Sequence, residues 1–292
     1  MRKSIAIIIT SILVLSGCNK QQSVSDRLLN EVEKAIAINP DSASNLLKSI
    51  SSPEKLDDKA FARWCMLSGK ITDEIFNSIL PTYQLERAYD WYSSHGSPDE
   101  QVQILIYLGR SYFADGDYDK AMSIYTNALD IAGKNKLNNL IGYTYDYIGD
   151  LYREKFMRTE AIKRYEIAAE YFKKEKNTDS YACALRDIGR EYAQMDSLSH
   201  ALNILIIADS VAANTSNINV TASINNALGN IYSMQNKYDK AEEYLLKALL
   251  TGREKMPDYV ALIDLYTASN SINKAKELLS CLLYTSPSPR DY

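Results

Sequence analysis

Four glycines stand 40 residues apart in this chain, at Gly109, Gly149, Gly189 and Gly229. Each follows Leu or Ile (Leu108, Ile148, Ile188, Leu228) and comes three residues before a tyrosine (Tyr112, Tyr152, Tyr192, Tyr232). Alanines return in the same register at Ala121, Ala161, Ala201 and Ala241, and again at Ala128, Ala168, Ala208 and Ala248. Fixed-period self-similarity marks a stacked array in which no unit can bury its own apolar face. It predicts a quasi-one-dimensional scaffold rather than a closed catalytic globule.

Within one unit, Leu105, Leu108, Gly109 and Tyr112 fall at i, i+3, i+4 and i+7, a single stripe of a first helix. Tyr118, Ala121, Tyr125 and Ala128 repeat that spacing on a second helix. Between them Asp115-Gly116-Asp117 supplies a turn, with Gly tolerating a positive φ and Asp117 placed as an N-cap. The unit is therefore a helix hairpin. Glycine costs roughly 1 kcal/mol against alanine in a helix interior, so its fourfold return in register implies a close backbone approach.

The pattern resembles the tetratricopeptide repeat, whose signature of a large apolar residue, Leu-Gly, Tyr, Ala, an aromatic and Ala is matched by Leu105, Leu108, Gly109, Tyr112, Ala121, Tyr125 and Ala128. The resemblance covers residues 102 to about 250 in four copies, and the 40-residue period implies helices about a turn longer than in the family's usual repeat of about 34 residues. Copies three and four place Leu205 and Leu245 at the second-helix aromatic, and copy four has Asn225 at the first apolar site. A fifth copy, from about Met256, shows Leu262, Tyr266, Ala275 and Leu279, with Ile263 in place of the glycine. The fold implied is all-α, a right-handed solenoid of antiparallel helix hairpins.

Upstream, Leu28, Leu29 and Val32 form a short apolar stripe, and Asn39-Pro40-Asp41-Ser42 reads as a turn into a helix carrying Ala43, Leu47 and Ile50. A further hairpin holds Trp64 and Leu67, then Leu85, Ala88, Trp91 and Tyr92. Ser97-Pro98-Asp99-Glu100 is a capping box with Pro at the first helical position, and it marks the start of the regular array. With 46% apolar and 24% charged residues the chain can bury a long continuous core, read here as one elongated domain. The net charge of −4, with both signs interspersed, leaves no basic footprint for nucleic acid in this segment.

The first residues read as an export signal: Arg2 and Lys3, then an apolar run from Ile5 to Leu15 that is short for a membrane span. Leu15-Ser16-Gly17-Cys18 resembles the bacterial lipobox, in which lipid is attached to the cysteine thiol and cleavage makes that cysteine the new N-terminus. An ordinary signal peptide or an uncleaved anchor is the alternative. By analogy with bacterial lipoproteins, Asn19 favours the outer membrane, and the lack of a following acidic run removes the surface-export tag of Bacteroidetes lipoproteins. The domain is expected in the periplasm, in a chain that resembles Bacteroidetes tetratricopeptide-repeat lipoproteins. At the other end, Cys281 to Tyr292 resembles translated sequencing adapter, against a genuine tail as the alternative. The expected layout is a signal peptide at 1–17, a tether at 18–25, degenerate helical repeats at 26–100, the array at 102–280 and a non-native tail at 281–292.

Catalytic raw material is scarce. Only His95 and His200 occur, and Cys65, Cys183 and Cys281 are too scattered for a disulfide framework or a Cys-rich metal site. Asp115, Asp117 and Asp119 imitate a calcium loop, but Lys120 and Thr126 stand where Gly and Glu are required. No phosphate-binding glycine loop appears, so no cofactor, metal or enzyme activity is expected. The resemblance implies instead a concave groove lined by first helices that holds a protein or peptide. Its lining would be Ile106 and Arg110, then Asp146 and Asp150, Arg186 and Arg190, and Asn226 and Asn230, the last four suited to a partner's carboxylates and backbone. The competing expectation is an internal ladder, Asp146 with Arg186 and Asp150 with Arg190, across first helices roughly 10 Å apart. A sensor segment of a larger signalling protein is the alternative to a stand-alone scaffold.

Overall fold

The computed structural model describes residues 25–75, 79–253 and 255–285, and among them every regular element is helical. Cys18, the export signal and residues 286–292 lie outside the described residues. No described helix is long and apolar enough to cross a membrane. The chain divides into two compact units between Leu140 and Ile141.

The first unit holds α1 (25–36), α2 (Pro40–Lys48), a 3₁₀ turn (Pro53–Lys55), α3 (Asp58–Ile75), α4 (Thr82–His95), α5 (Pro98–Ala114) and α6 (Tyr118–Asn135). Leu29 and Val32 of α1 are buried with Ala43 and Leu47 of α2 and Leu67 of α3. Asn39 caps α2 by accepting from the Ser42 N–H at 2.9 Å. The capping box at α5 closes as its sequence predicts: the Ser97 N–H donates to Glu100 Oε2 at 2.8 Å and the Glu100 N–H to Ser97 Oγ at 3.3 Å. Gly69 on α3 stands 40 residues before Gly109, and a Cβ there would lie 2.3 Å from the Tyr107 ring. The 40-residue register therefore reaches back to α3, further than the sequence reading carried it.

The second unit is α7 (Asn138–Glu154), α8 (Arg158–Lys174), α9 (Thr178–Gln194), α10 (Leu198–Ala212), α11 (Ile218–Met234), α12 (Tyr238–Thr251), α13 (Met256–Ala268) and α14 (Ile272–Thr285). Helices of 17 residues at α7, α8, α9 and α11 account for the long period. Turns of three residues fold each hairpin back on itself, so its two helices run antiparallel. α14 runs on to Thr285, so residues 281–285 continue a helix.

The repeated glycines sit where the first helix of a hairpin meets the second. A Cβ added to Gly109 or Gly149 would lie 2.3 or 2.4 Å from the ring of Tyr125 or Tyr165, and at Gly189 and Gly229 it would lie 2.8 and 2.6 Å from Leu205 and Leu245. No real Cβ sits that close to another carbon, so the facing side chain occupies the space that glycine vacates. Ala121, Ala161, Ala201 and Ala241 are fully buried beside them. The fifth hairpin shows the same rule by breaking it. Ile263 replaces the glycine, and Leu279, the counterpart of the fully buried Leu245, is left 48% exposed.

The repeated tyrosines have a second duty that spacing does not reveal. The backbone carbonyls of Tyr112, Tyr152, Tyr192 and Tyr232 accept from the N–H five residues on, at 2.8–2.9 Å, which closes each hairpin turn. The turn residue adopts positive φ at Gly116 (78°), Phe156 (56°), Asp196 (60°) and Asn236 (59°). Glycine, Asp and Asn tolerate that conformation, whereas Phe156 pays a steric penalty and is 79% exposed.

Candidate functional site

The residues one and five positions past the first apolar site of each repeat are fixed on α5, α7, α9 and α11 by the glycine seam on the adjacent face. Ile106 is buried and cannot face a ligand, which removes it from the expected groove. In the first unit Arg110 forms an ion pair with Asp73 of α3, and the Tyr107 hydroxyl donates to the same carboxylate at 3.0 Å.

In the second unit the polar face is continuous over α7 and α9, but its pairing is not the expected ladder. No ion pair joins Asp146 to Arg186 or Asp150 to Arg190 among the described residues. Asp187 takes both arginines instead. Arg186 forks onto it through Nε at 3.0 Å and Nη2 at 2.6 Å, and Arg190 Nη1 reaches it at 3.3 Å. Arg186 spends its remaining nitrogen on Ser223 Oγ of α11 at 2.9 Å and on Cys183. Its donors are therefore committed, which corrects its assignment as a free anion-binding residue. Arg190 keeps 41% of its side chain exposed, and Asp187 is its partner.

Asp150 is satisfied on its own hairpin: Arg153 Nη1 lies 2.9 Å from Oδ1, and the Tyr165 hydroxyl donates to the same oxygen at 2.8 Å. Asp146, one turn earlier on α7, has no such arrangement. Its Oδ1 is buried with no hydrogen-bond partner, while the residue as a whole keeps part of its surface open. On α11, Asn226 Nδ2 donates to Asp258 Oδ1 of α13 at 2.7 Å, and Asn230 Nδ2 donates to Asn226 Oδ1 at 3.0 Å. Asn226 is thereby held in the interior, and Asn230 alone of the pair stays exposed.

The titration behaviour follows from this packing. Burial, then the neighbouring Asp150 and Asp187 carboxylates, push Asp146 well above the usual carboxylate range, against the pull of Arg186 and Arg153. Burial also raises Asp150, with Arg153 opposing. Asp187 goes the other way: burial disfavours its charge, but Arg186 and Arg190 outweigh burial and hold it below the usual range. Burial and the adjacent Arg186 guanidinium bring Arg190 down to about 10.

Arg153, Tyr165, Asp187, Glu191, Ser223 and Asp258 belong to this face or its support and were not singled out by sequence. Two of them left a legible trace. Asp187 stands in register with Tyr107, Tyr147 and Ala227, and Glu191 with Ser111, Leu151 and Ile231. Copy three alone places carboxylates at both sites, each nearly inaccessible, and Arg158 of α8 meets Glu191 at 3.0 Å. Among the described residues no group of three or more His, Cys, Asp or Glu is placed to hold a metal ion.

Residues 105–138 and 221–256 match family models described as tetratricopeptide repeat. The α5–α6 and α11–α12 hairpins thus match the tetratricopeptide repeat. Among curated proteins the chain is similar to the photosystem I assembly protein Ycf3 of Rippkaea orientalis, 32% identical over 91 residues, which is 30% of this chain and 52% of that protein. The match thus spans about half the length of that relative. Among solved structures, a Rap protein complexed with competence and sporulation factor has a TM-score of 0.71 at 19% identity, covering 88% of this chain and 74% of that one. The apo form of RapI has 0.65 at 14% identity, covering 87% and 94%. The apo quorum sensor NprR from B. thuringiensis has 0.56 at 15%, covering 89% and 75%. At these identities the likeness establishes the tetratricopeptide-repeat fold and nothing finer.

Proposed function

We propose that this chain is a non-enzymatic tetratricopeptide-repeat scaffold of the bacterial cell envelope, lipid-anchored through Cys18 at the periplasmic side of the outer membrane. It binds a protein or peptide through the first-helix face of its second unit. One observation carries the reading. Across α7, α9 and α11 the repeats conserve their packing residues while the polar positions beside them change from Asp to Arg to Asn, and Asp146, Arg190 and Asn230 retain unused hydrogen-bonding capacity. A surface needed only for stacking has no reason to vary while its seam repeats.

The test replaces Arg190 and Asn230 together with Ala, since both are exposed and neither anchors a buried partner alone. Recovery of envelope proteins or of random peptides on immobilised double variant should fall at least tenfold, with the melting temperature within a few degrees of wild type. Equal recovery discards this face. For the anchor, Cys18→Ala is expected to abolish lipid labelling and release the protein from membranes, and full retention supports an uncleaved anchor instead.

A sensor segment is the second reading. It is favoured by the shared fold with NprR, whose structure is that of a quorum sensor, and with the Rap protein, whose structure holds a signalling factor. The intact gene past codon 280 separates the two: a membrane span or DNA-binding domain there makes the repeats an input module.

A further inference from the structure

The unpaired carboxylate on α7 deepens that reading and rests on it. A buried carboxylate oxygen without a donor costs more than the same group in water, and proteins rarely keep one unless something completes it. Asp146 Oδ1 is such an atom. The donor best placed to serve it from the neighbouring repeat, Arg186, is turned onto Asp187, its own chain neighbour, and onto Ser223. Arg153 is turned onto Asp150. Two guanidiniums of the cluster are thus held on other partners, while Asp146 keeps a buried, unpartnered oxygen in a residue that is only partly covered.

We infer that Asp146, with Asp150 one turn away, receives a single organic cation, the guanidinium or ammonium of an Arg or Lys side chain in the bound partner. A metal ion does not fit, because the face supplies no third ligating side chain in the described residues. A carboxylate or phosphate does not fit either, because two carboxylates at i and i+4 repel an anion and Arg186 is already bonded to Asp187, Ser223 and Cys183. A guanidinium presents planar donors to two carboxylates at i and i+4, and a charge-assisted bond is the one interaction that makes ionising Asp146 favourable.

Binding is linked to protons with a definite sign. In the free protein Asp146 titrates high because burial, Asp150 and Asp187 oppose its charge against Arg186 and Arg153; Cys183 also lies within the same field. A bound cation favours the ionised form and lowers that pKa. Uptake of the cation therefore releases a proton below the free value, and affinity rises with pH until that value is passed.

The experiment is a random-peptide phage selection on the immobilised full chain, wild type and Asp146→Asn side by side, followed by titration calorimetry of the recovered peptides. Enrichment of peptides with an Arg or Lys is expected. Their affinity should fall at least tenfold when that residue becomes citrulline or norleucine, or when Asp146 becomes Asn, and should rise from pH 5 to pH 8 in wild type but not in Asp146→Asn. Circular dichroism melts show that the variant is folded, and Asp150→Asn serves as a second variant if it is not. Peptides that bind the face without a cation, or bind Asp146→Asn equally well, overturn this inference and leave the scaffold reading standing. No enrichment on wild type overturns both.

Discussion

On α7, Gly149 meets the Tyr165 ring so closely that no side chain fits between them, while one residue on Asp150 accepts from the hydroxyl of that same ring and, a turn earlier, Asp146 accepts from nothing. The two faces of one helix are solved differently. Toward α8 the space beside Gly149 is filled by the Tyr165 ring, and that filling recurs every 40 residues through α11. Toward the open side each repeat carries its own chemistry, and at Asp146 that chemistry is unfinished. The seam determines where each first helix sits, so the variable face is free to change without moving the helix beneath it. A stacked array permits this because each hairpin contacts only its neighbours.

The comparison breaks most visibly if the seam is opened. Tyr165→Ala should cost about 3–5 kcal/mol, because the residue is fully buried and its loss leaves a cavity against Gly149 as well as removing the Asp150 hydrogen bond. Denaturant titration measures it, and a cost below about 1 kcal/mol would mean that the seam does not carry the hairpin. Next is the buried pair beneath the polar face. Arg158→Ala should cost about 3 kcal/mol by stranding Glu191, and adding Glu191→Leu, the residue of copy two, should recover most of it. Failure of that rescue would assign Glu191 a role other than packing.

Smaller effects sharpen the contrast. Gly149→Ala should lose about 2 kcal/mol even though alanine gains roughly 1 kcal/mol in helix propensity, since its Cβ meets an aromatic ring that cannot yield. Gly133→Ala, with nothing near its Cβ, should instead stabilise by up to about 1 kcal/mol. Equal responses at the two glycines would remove the close-approach explanation. Asp146→Asn should have the least effect, and one that depends on pH. Because the folded pKa of Asp146 is raised, wild-type stability declines as pH climbs from the unfolded carboxylate value of about 3.9 through the folded value. The variant lacks that decline, so it matches wild type in acid and exceeds it near neutrality. A variant less stable than wild type at pH 7 would show that Asp146 is already satisfied.

How much of this could be read from the chain depends on period. Gly149, Tyr152, Ala161 and Ala168 are visible because four copies repeat them, and repetition converts a weak local preference into a register. The hairpins and the absence of strand among described residues follow from that register, while the N-caps at Ser97 and Asp117 follow from their local motifs. The face was located but its bonding was not. Asp187 lies beside Arg186 in sequence, and helical spacing alone does not favour a bond between adjacent residues, so the longer reach to Asp146 looked preferable. The flexible Arg186 side chain folds back, a rotamer choice that no pattern encodes. The Asp258 partner of Asn226 was equally hidden, because the fifth copy changes period and moves out of register.

The most direct measurement of the division between seam and face is hydrogen–deuterium exchange on the full chain, alone and saturated with a peptide recovered by selection. Added protection should concentrate in residues 141–154 and 178–194, with α8, α10 and α12 unchanged. Protection confined to the second helices, or to residues before 141, would contradict the assignment of binding to the first-helix face.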